Sequence, residues 1–343
     1  MKPSVLALIG EVDALAPPGG ALAFDGRYKE WYHFNVGAGE TELIVNLGVA
    51  GTDGVQGRAR GTAILLAHRP DMGWAGGVDA YPERALRAGR GVDLRIGRCS
   101  LRYDGARYHL DAALRDGSIA IEARLSPLSY PVPIRNRVPF GSGSNDWIVV
   151  PRLEATGEVR IDGEAIALER VPAYHDHNRG RWYWGDELGW EWGYAREPAR
   201  REGFTVVFER VTDRFHEPIG EGALLVWEGE RIAKAFTGGN LRVVPDAASV
   251  VLPAPRVPPV LDLLRGVGRA AVPREITIHA RESDDWMELV FTPIGALQLL
   301  LPHEQGDGYA TLHELAGRYR VRGEVRGRRV EFACTGCCEW AGS

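Results

Sequence analysis

The chain has 343 residues, 45% of them hydrophobic, with 46 acids against 41 bases and a net charge of −5. That length suits roughly two domains, the apolar share excludes a disordered chain, and the scattered bases form no stripe for nucleic acid. Four cysteines, with Cys99 alone and Cys334, Cys337 and Cys338 crowded near the end, are too few for a disulfide-dense scaffold.

The first segment, "MKPSVLALIGEVDALAPPGG", has an apolar run from Val5 to Ile9 closed by Glu11. It is short for a signal-peptide core, and no stretch approaches the ~20 apolar residues of a membrane span. These features point to a soluble, cytoplasmic protein with no integral membrane segment. From Trp31 runs "WYHFNVGAGETELIVNLG", an aromatic alternating stretch, a polar turn and an apolar stretch. "RYHLDAALRDGSIAIEARL" then joins two alternating runs through Asp116-Gly117, a pair that favours a type I′ hairpin turn. "GSGSN", Gly141 to Asn145, lacks the lysine and helix of a phosphate loop and reads as a loop over a pocket.

Asp162-Gly163, Glu228-Gly229 and Arg326-Gly327 mark three further hairpins. The clearest helix candidate is Pro258 to Ala271, "PPVLDLLRGVGRAA", with a proline-rich lead-in. "LHELAG" holds a lone His313-Glu314 with no constellation around it, so surface or packing is the expected role. "FACTGCCEW" lacks a second CxxC pair or a nearby histidine, so it reads as ordinary thiols in a last strand. Many short strands with regular turn signals imply a barrel or sandwich. The stretch from Trp31 is echoed by "WEWGYAREPARREGFTVVFERV" from Trp190, which suggests a tandem of two related β domains. The boundary is expected near residue 157, giving domains 1–157 and 158–343.

Chemistry concentrates in "VPAYHDHNRGRWYWGDELGWEWGYA", Val171 to Ala195, which holds Trp182, Trp184, Trp190 and Trp192 among the chain's ten tryptophans. On a strand, Tyr174, Asp176 and Asn178 share one face and His175 and His177 the other. The histidine face offers a metal pair. It would need a third ligand from His33, His216, Glu191 or Asp186, and nothing in the sequence selects one. The acid face has better company. Trp182 and Trp184 are two residues apart, as are Trp190, Trp192 and Tyr194, so adjacent strands would line an aromatic wall. A carboxyl buried against aromatics favours its protonated form; it can protonate an alkene, and π faces shelter the cation. The plain alternative is a structural core in which the acid pairs with Arg179 or Arg181.

Three stretches together resemble a known family. "KEWYHFNV" is similar to the Glu-Trp-aromatic-aromatic opening of AttH-like proteins. "DWIVVPRLEATGEVRIDGEAIAL" is similar to their linking segment. "AYHDHNRGRW" resembles the acid-bearing strand that they share with carotenoid 1,2-hydratases. The matches span residues 24 to 195. The resemblance implies an all-β fold of two lipocalin-like antiparallel β-barrels in tandem with a few short helices. It also implies a hydrophobic pocket and no cofactor; the weak His-x-His signal leaves no metal as the expectation. Relatives include hydratases of isoprenoid double bonds, tocopherol-cyclase-like proteins and pericyclases of natural-product pathways. The hydratases' acid maps onto Asp176, although histidines flank it here.

The expected function is therefore a cofactor-independent acid–base enzyme, a lyase (hydratase) or cyclase/isomerase. Its substrate would be a hydrophobic isoprenoid or polyene such as a carotenoid or terpenoid. Asp176 would donate the proton, with Tyr174, His177 and Asn178 around it. Trp31, Tyr32, His33, Trp182, Trp184, Trp190, Trp192 and Tyr194 would shape the pocket. The alternatives are a pericyclase and a non-catalytic carrier of a hydrophobic ligand. The expected partner is the substrate alone, reached in solution or at a membrane periphery, by a monomer or homodimer.

Overall fold

The structure is a computed structural model that describes residues 3–15, 26–51, 59–186, 188–198 and 203–342. Two compact units emerge: Met1–Pro70 with Ala75–Asp186, and Asp71–Trp74 with Glu187–Ser343. The expected boundary near 157 falls inside the continuous strand Gly143–Ile161, so the first unit runs on to Asp186.

The all-β expectation holds. The first unit is one 12-stranded sheet that nearly closes into a barrel. Its centre runs, in sheet order, through strands Ala59–Arg69, Thr41–Gly51, Tyr28–Ala38, Glu164–Arg181, Gly143–Ile161 and Ile119–Pro127. The second unit is a 10-stranded sheet whose centre runs through Ala223–Glu228, Phe204–Thr212, Gly189–Arg196, Arg328–Gly342, Tyr309–Val325 and Asp285–Pro302. In both units the first long strand lies antiparallel between the second and the last. The two echoed stretches, from Trp31 and from Trp190, occupy that same position in the winding.

Turn chemistry sets the register. Asp162 and Gly163 have φ of 50° and 85°, and Arg326 and Gly327 have 53° and 71°, as a type I′ turn requires at both central positions. All four expected hairpins form. Inside the first barrel, Phe34, Val36, Leu43, Val45, Leu47, Leu153 and Val159 join one core; burying each of the larger side chains contributes about 1.5–3 kcal/mol.

Three local readings change. The helix expected over 258–271 is confined to Val260–Arg265, because Gly266 turns to φ 73° and Arg269–Pro273 pairs as a strand with Ser249–Pro253. "GSGSN" is the tip and start of a hairpin rather than a loop, since Phe140 pairs with Gly143 around Gly141 at φ 54°. The opening apolar run, too short for a signal-peptide core, forms a helix, Pro3–Val12. Among the described residues no helix is long and apolar enough to cross a membrane.

Candidate functional site

The strand Glu164–Arg181 is buried without a break from Ala173 to His177. A strand with one face on solvent would alternate, so both of its faces are covered here. Each face carries its own polar chemistry.

His175 and His177 point into the barrel and meet Asp13, which follows the N-terminal helix. His175 Nε2 lies 3.0 Å from Asp13 Oδ2, and His177 Nδ1 lies 3.1 Å from Asp13 Oδ1. The other nitrogen of His177 is 2.8 Å from Glu30 Oε1. Both its nitrogens face carboxylate oxygens, so both carry a proton and the ring is an imidazolium. Burial pushes the pKa of His177 down, but hydrogen bonds and charge from Asp13 and Glu30 outweigh it and lift it to about 9. Burial likewise acts against ionised Asp13, yet His175 and His177 hold its carboxyl well below the usual range. Tyr108 donates to Asp13 Oδ2 at 2.7 Å, Tyr32 donates to its carbonyl at 3.0 Å, and Tyr28 donates to Glu30. Tyr32 stacks on His177 at 4.1 Å and Phe34 on His175 at 4.2 Å.

The opposite face carries the acid. Tyr174 donates to Asp176 Oδ2 at 2.9 Å and Asn178 Nδ2 donates to Oδ1 at 2.9 Å. Asn145 in turn donates to Asn178 Oδ1 at 3.2 Å, which fixes the amide's orientation. Asp176 is 4% exposed. Its register partners are His33 on one side and Val149 on the other. Trp31 and Trp147 flank Asn178 in the same way. Burial pushes His33 down to about 4, so its ring is neutral, and Nε2 donates to Asn35 Oδ1 at 2.7 Å.

The structure thus brings Tyr174, Asp176 and Asn178 together with Trp31 and His33, and sends His177 and Tyr32 to the other side of the sheet. The tryptophans fall into two groups. Trp182 and Trp184 lie past the strand's end instead of alternating along it, and join Trp31 at 5.6 and 6.5 Å between ring centroids. Phe140 packs on Trp182 at 4.9 Å, and Lys29 donates to the Trp182 carbonyl at 2.7 Å with its ammonium 5.8 Å from the Trp184 ring. Trp190, Trp192 and Tyr194 belong to the second unit, where Trp192 and Tyr194 stand 5.8 Å apart.

The sequence alone gives Asp13, Lys29, Asn35, Asn145 and Trp147 no role at the site. Trp147 and Asn145 had a usable signal, since they alternate along "NDWIVV"; Asp13 had none. The side chains considered as a third metal ligand are engaged elsewhere. Glu191 holds Arg210 through two bonds of 2.8 Å with His216 3.4 Å away, Asp186 caps Ser142, and His33 holds Asn35. Among the described residues no group of three or more His, Cys, Asp or Glu is arranged to hold a metal ion.

No protein-family model matches the chain, and no curated protein matches it by sequence. Solved structures do match in fold. A protein designated AttH from Nitrosomonas europaea superimposes with a TM-score of 0.64 at 16% identity, covering 96% of this chain and 99% of that one. Kievitone hydratase from Nectria haematococca gives 0.59 at 10% identity over 94% and 90% of the two chains. CghA gives 0.60 at 12% identity over 96% and 93%, and its complex with Sch210972 also matches. At these identities the likeness is one of fold.

Proposed function

We propose that this chain is a cofactor-independent acid–base enzyme. It protonates an alkene of a hydrophobic isoprenoid or polyene, with hydration or cyclisation to follow. The observation that carries the reading is the Tyr174–Asp176–Asn178 triad: a buried carboxyl with a donor on each oxygen, among Trp31, His33 and Trp147. The fold likeness to kievitone hydratase supports it. The four free cysteines suit a reducing compartment such as the cytoplasm.

In this mechanism Asp176 gives its proton to the alkene carbon. Tyr174 and Asn178 then stabilise the carboxylate left behind, as pre-placed donors do for a developing charge. Aromatic faces shelter the cation. In hydration, water attacks the cation and its surplus proton returns to Asp176, so the enzyme ends as it began. In cyclisation, a second double bond attacks and a neighbouring C–H proton takes that path.

The test is incubation of wild type and Asp176→Asn with a panel of acyclic isoprenoids and polyenes in deuterated water, products being read by mass. Deuterium in the wild-type product, with turnover lost in the variant, is the expected result. Product without deuterium, formed equally by both proteins, overturns the acid mechanism in favour of pericyclic closure. Ligand bound and recovered unchanged throughout the panel makes the protein a carrier.

A further inference from the structure

Glu314 and Glu339 are direct partners in the register of the strands Tyr309–Val325 and Arg328–Gly342, so both side chains leave the same face of the second sheet. Glu314 is 3% exposed, and its Oε2 has no hydrogen-bond partner among the described residues. Glu339, half-buried, accepts the Trp190 indole N–H on Oε2 at 2.5 Å. Leu297 and Trp192 flank the pair along its row, and Leu312, Ala316, Cys337 and Ala341 lie two residues either side. None of these is basic. Glu209, one strand further on, faces Trp192, while Glu191, His313 and Cys338 belong to the opposite face.

Two neighbouring carboxyls in such surroundings cannot both ionise, so the pair keeps a proton between its members. Burial first, and the charge of Glu339 second, push Glu314 well above the carboxylate range. Burial lifts Glu339 to about 7 against the Trp190 hydrogen bond. The Trp190 N–H favours the ionised form of Glu339, so the proton rests on Glu314 and Glu339 is the carboxylate. Side by side they present one O–H donor and one acceptor. A hydroxyl answers both: its oxygen accepts from Glu314 and its hydrogen goes to Glu339. Water answers both too, but Trp190 and Trp192 add apolar surface that water does not use.

The internal echo gives this placement a second support. Asp176 pairs with the residue two after Trp31, and Glu339 pairs with the residue two after Trp190. The outward carboxyl of the last strand thus recurs at the matching position of both windings, with Val149 beside the first and Glu314 beside the second.

We propose that Glu314 and Glu339 form a ligand site for the hydroxyl group of an otherwise apolar molecule, with Trp190 and Trp192 against its hydrocarbon part. The site shares these tryptophans with the expected substrate wall but makes no use of Asp176, so it stands or falls independently of the acid mechanism.

The test uses the full chain at neutral pH, with 1-dodecanol and its methyl ether as probes and calorimetry as the readout. The ether keeps the oxygen but has no proton to give. Wild type should bind the alcohol about tenfold more tightly than the ether. Glu339→Leu, which removes the acceptor, should erase that preference, whereas Glu314→Gln, whose amide N–H still donates, and Asp176→Asn should keep it. Equal binding of the two probes by wild type overturns the proposal, as does a preference that survives Glu339→Leu or disappears in Asp176→Asn. Should the leucine variant fail to fold, infrared spectra of wild type decide. The protonated-carboxyl band should shift on adding the alcohol and stay put with the ether; a band unmoved by the alcohol rejects the site.

Discussion

In the first unit Asp13, delivered by the end of the N-terminal helix, sits between His175 and His177 of the last strand. In the second, Glu191 of the first strand is gripped by Arg210 of the very next strand, with His216 beside it. Both arrangements neutralise buried charge within the same winding of strands. They differ in what neutralises it. Arginine does not give up its proton, whereas an imidazolium can. The buried cation gripping the carboxylate is therefore an arginine in one unit and an imidazolium, which can release its proton, in the other. The outward faces differ in the same spirit. Asp176 is met by two donors, and Glu339 is met by one donor and another acid.

The largest expected effect separates the two outward carboxyls. Asp176→Asn should cut turnover on a responsive polyene by roughly 10²–10⁴-fold, the usual worth of a general acid. Glu339→Gln should leave the rate on a substrate without a hydroxyl within about tenfold, the worth of one modest interaction. Initial rates with both variants check this, and equal losses would erase the distinction.

Next come the inward charges. Asp13→Ala strands the buried His177 imidazolium beside Glu30 alone, and Glu191→Gln weakens the hold on Arg210. Removing one partner of a buried pair costs about 3–5 kcal/mol. Hydrogen exchange should place the two losses apart, Asp13→Ala in strands 28–38 and 164–181, Glu191→Gln in strands 189–196 and 204–212. Exchange that rises equally everywhere would show that the two networks are not separate.

A smaller effect tests the pH contrast. The folded pKa of His177, about 9, lies above its unfolded 6.5. Its stabilisation is therefore complete below 6.5 and is lost as pH climbs through 9. Asp13 is depressed in the folded state, so its share is present above 3.8 and fades as pH falls. Urea midpoints should drop between pH 6.5 and 9.5 in wild type, and the drop should shrink in His177→Gln. The smallest effect compares the two type I′ turns. Gly163→Ala and Gly327→Ala, at φ 85° and 71°, should each cost about 1 kcal/mol in thermal unfolding.

Much of this could be read from the chain because its cause is local. Asp162-Gly163 and Arg326-Gly327 announce their turns by residue type, and period-two alternation already separates Asp176 from His175 and His177. The rest depends on contacts between distant residues. Asp13 looks like any polar residue after a short apolar run, and only the closing of the barrel brings it to His175. Glu314, in "LHELAG", carries no sign of the acid that opposes it, because that neighbour is set by the register with the last strand. The helix expected over 258–271 stops early at Gly266, where the chain turns left-handed and then pairs as a strand. The tryptophans at 182 and 184 keep their spacing but lose their strand, so alternation predicts the wrong neighbours for them.

The strand order also has a consequence for synthesis. Strand 28–38 pairs on one side with 41–51, which leaves the ribosome directly after it, and on the other with 164–181. At ~5–20 residues per second, its second edge stays open for on the order of ten seconds, a long time for an unpaired strand carrying Tyr32, Phe34 and Val36. The second unit repeats the delay, since strand 189–196 must wait for 328–342. A cell making this protein holds open two adhesive edges in succession on each nascent chain. The yield of folded protein then depends on how crowded the ribosomes are and on which chaperones reach those edges first.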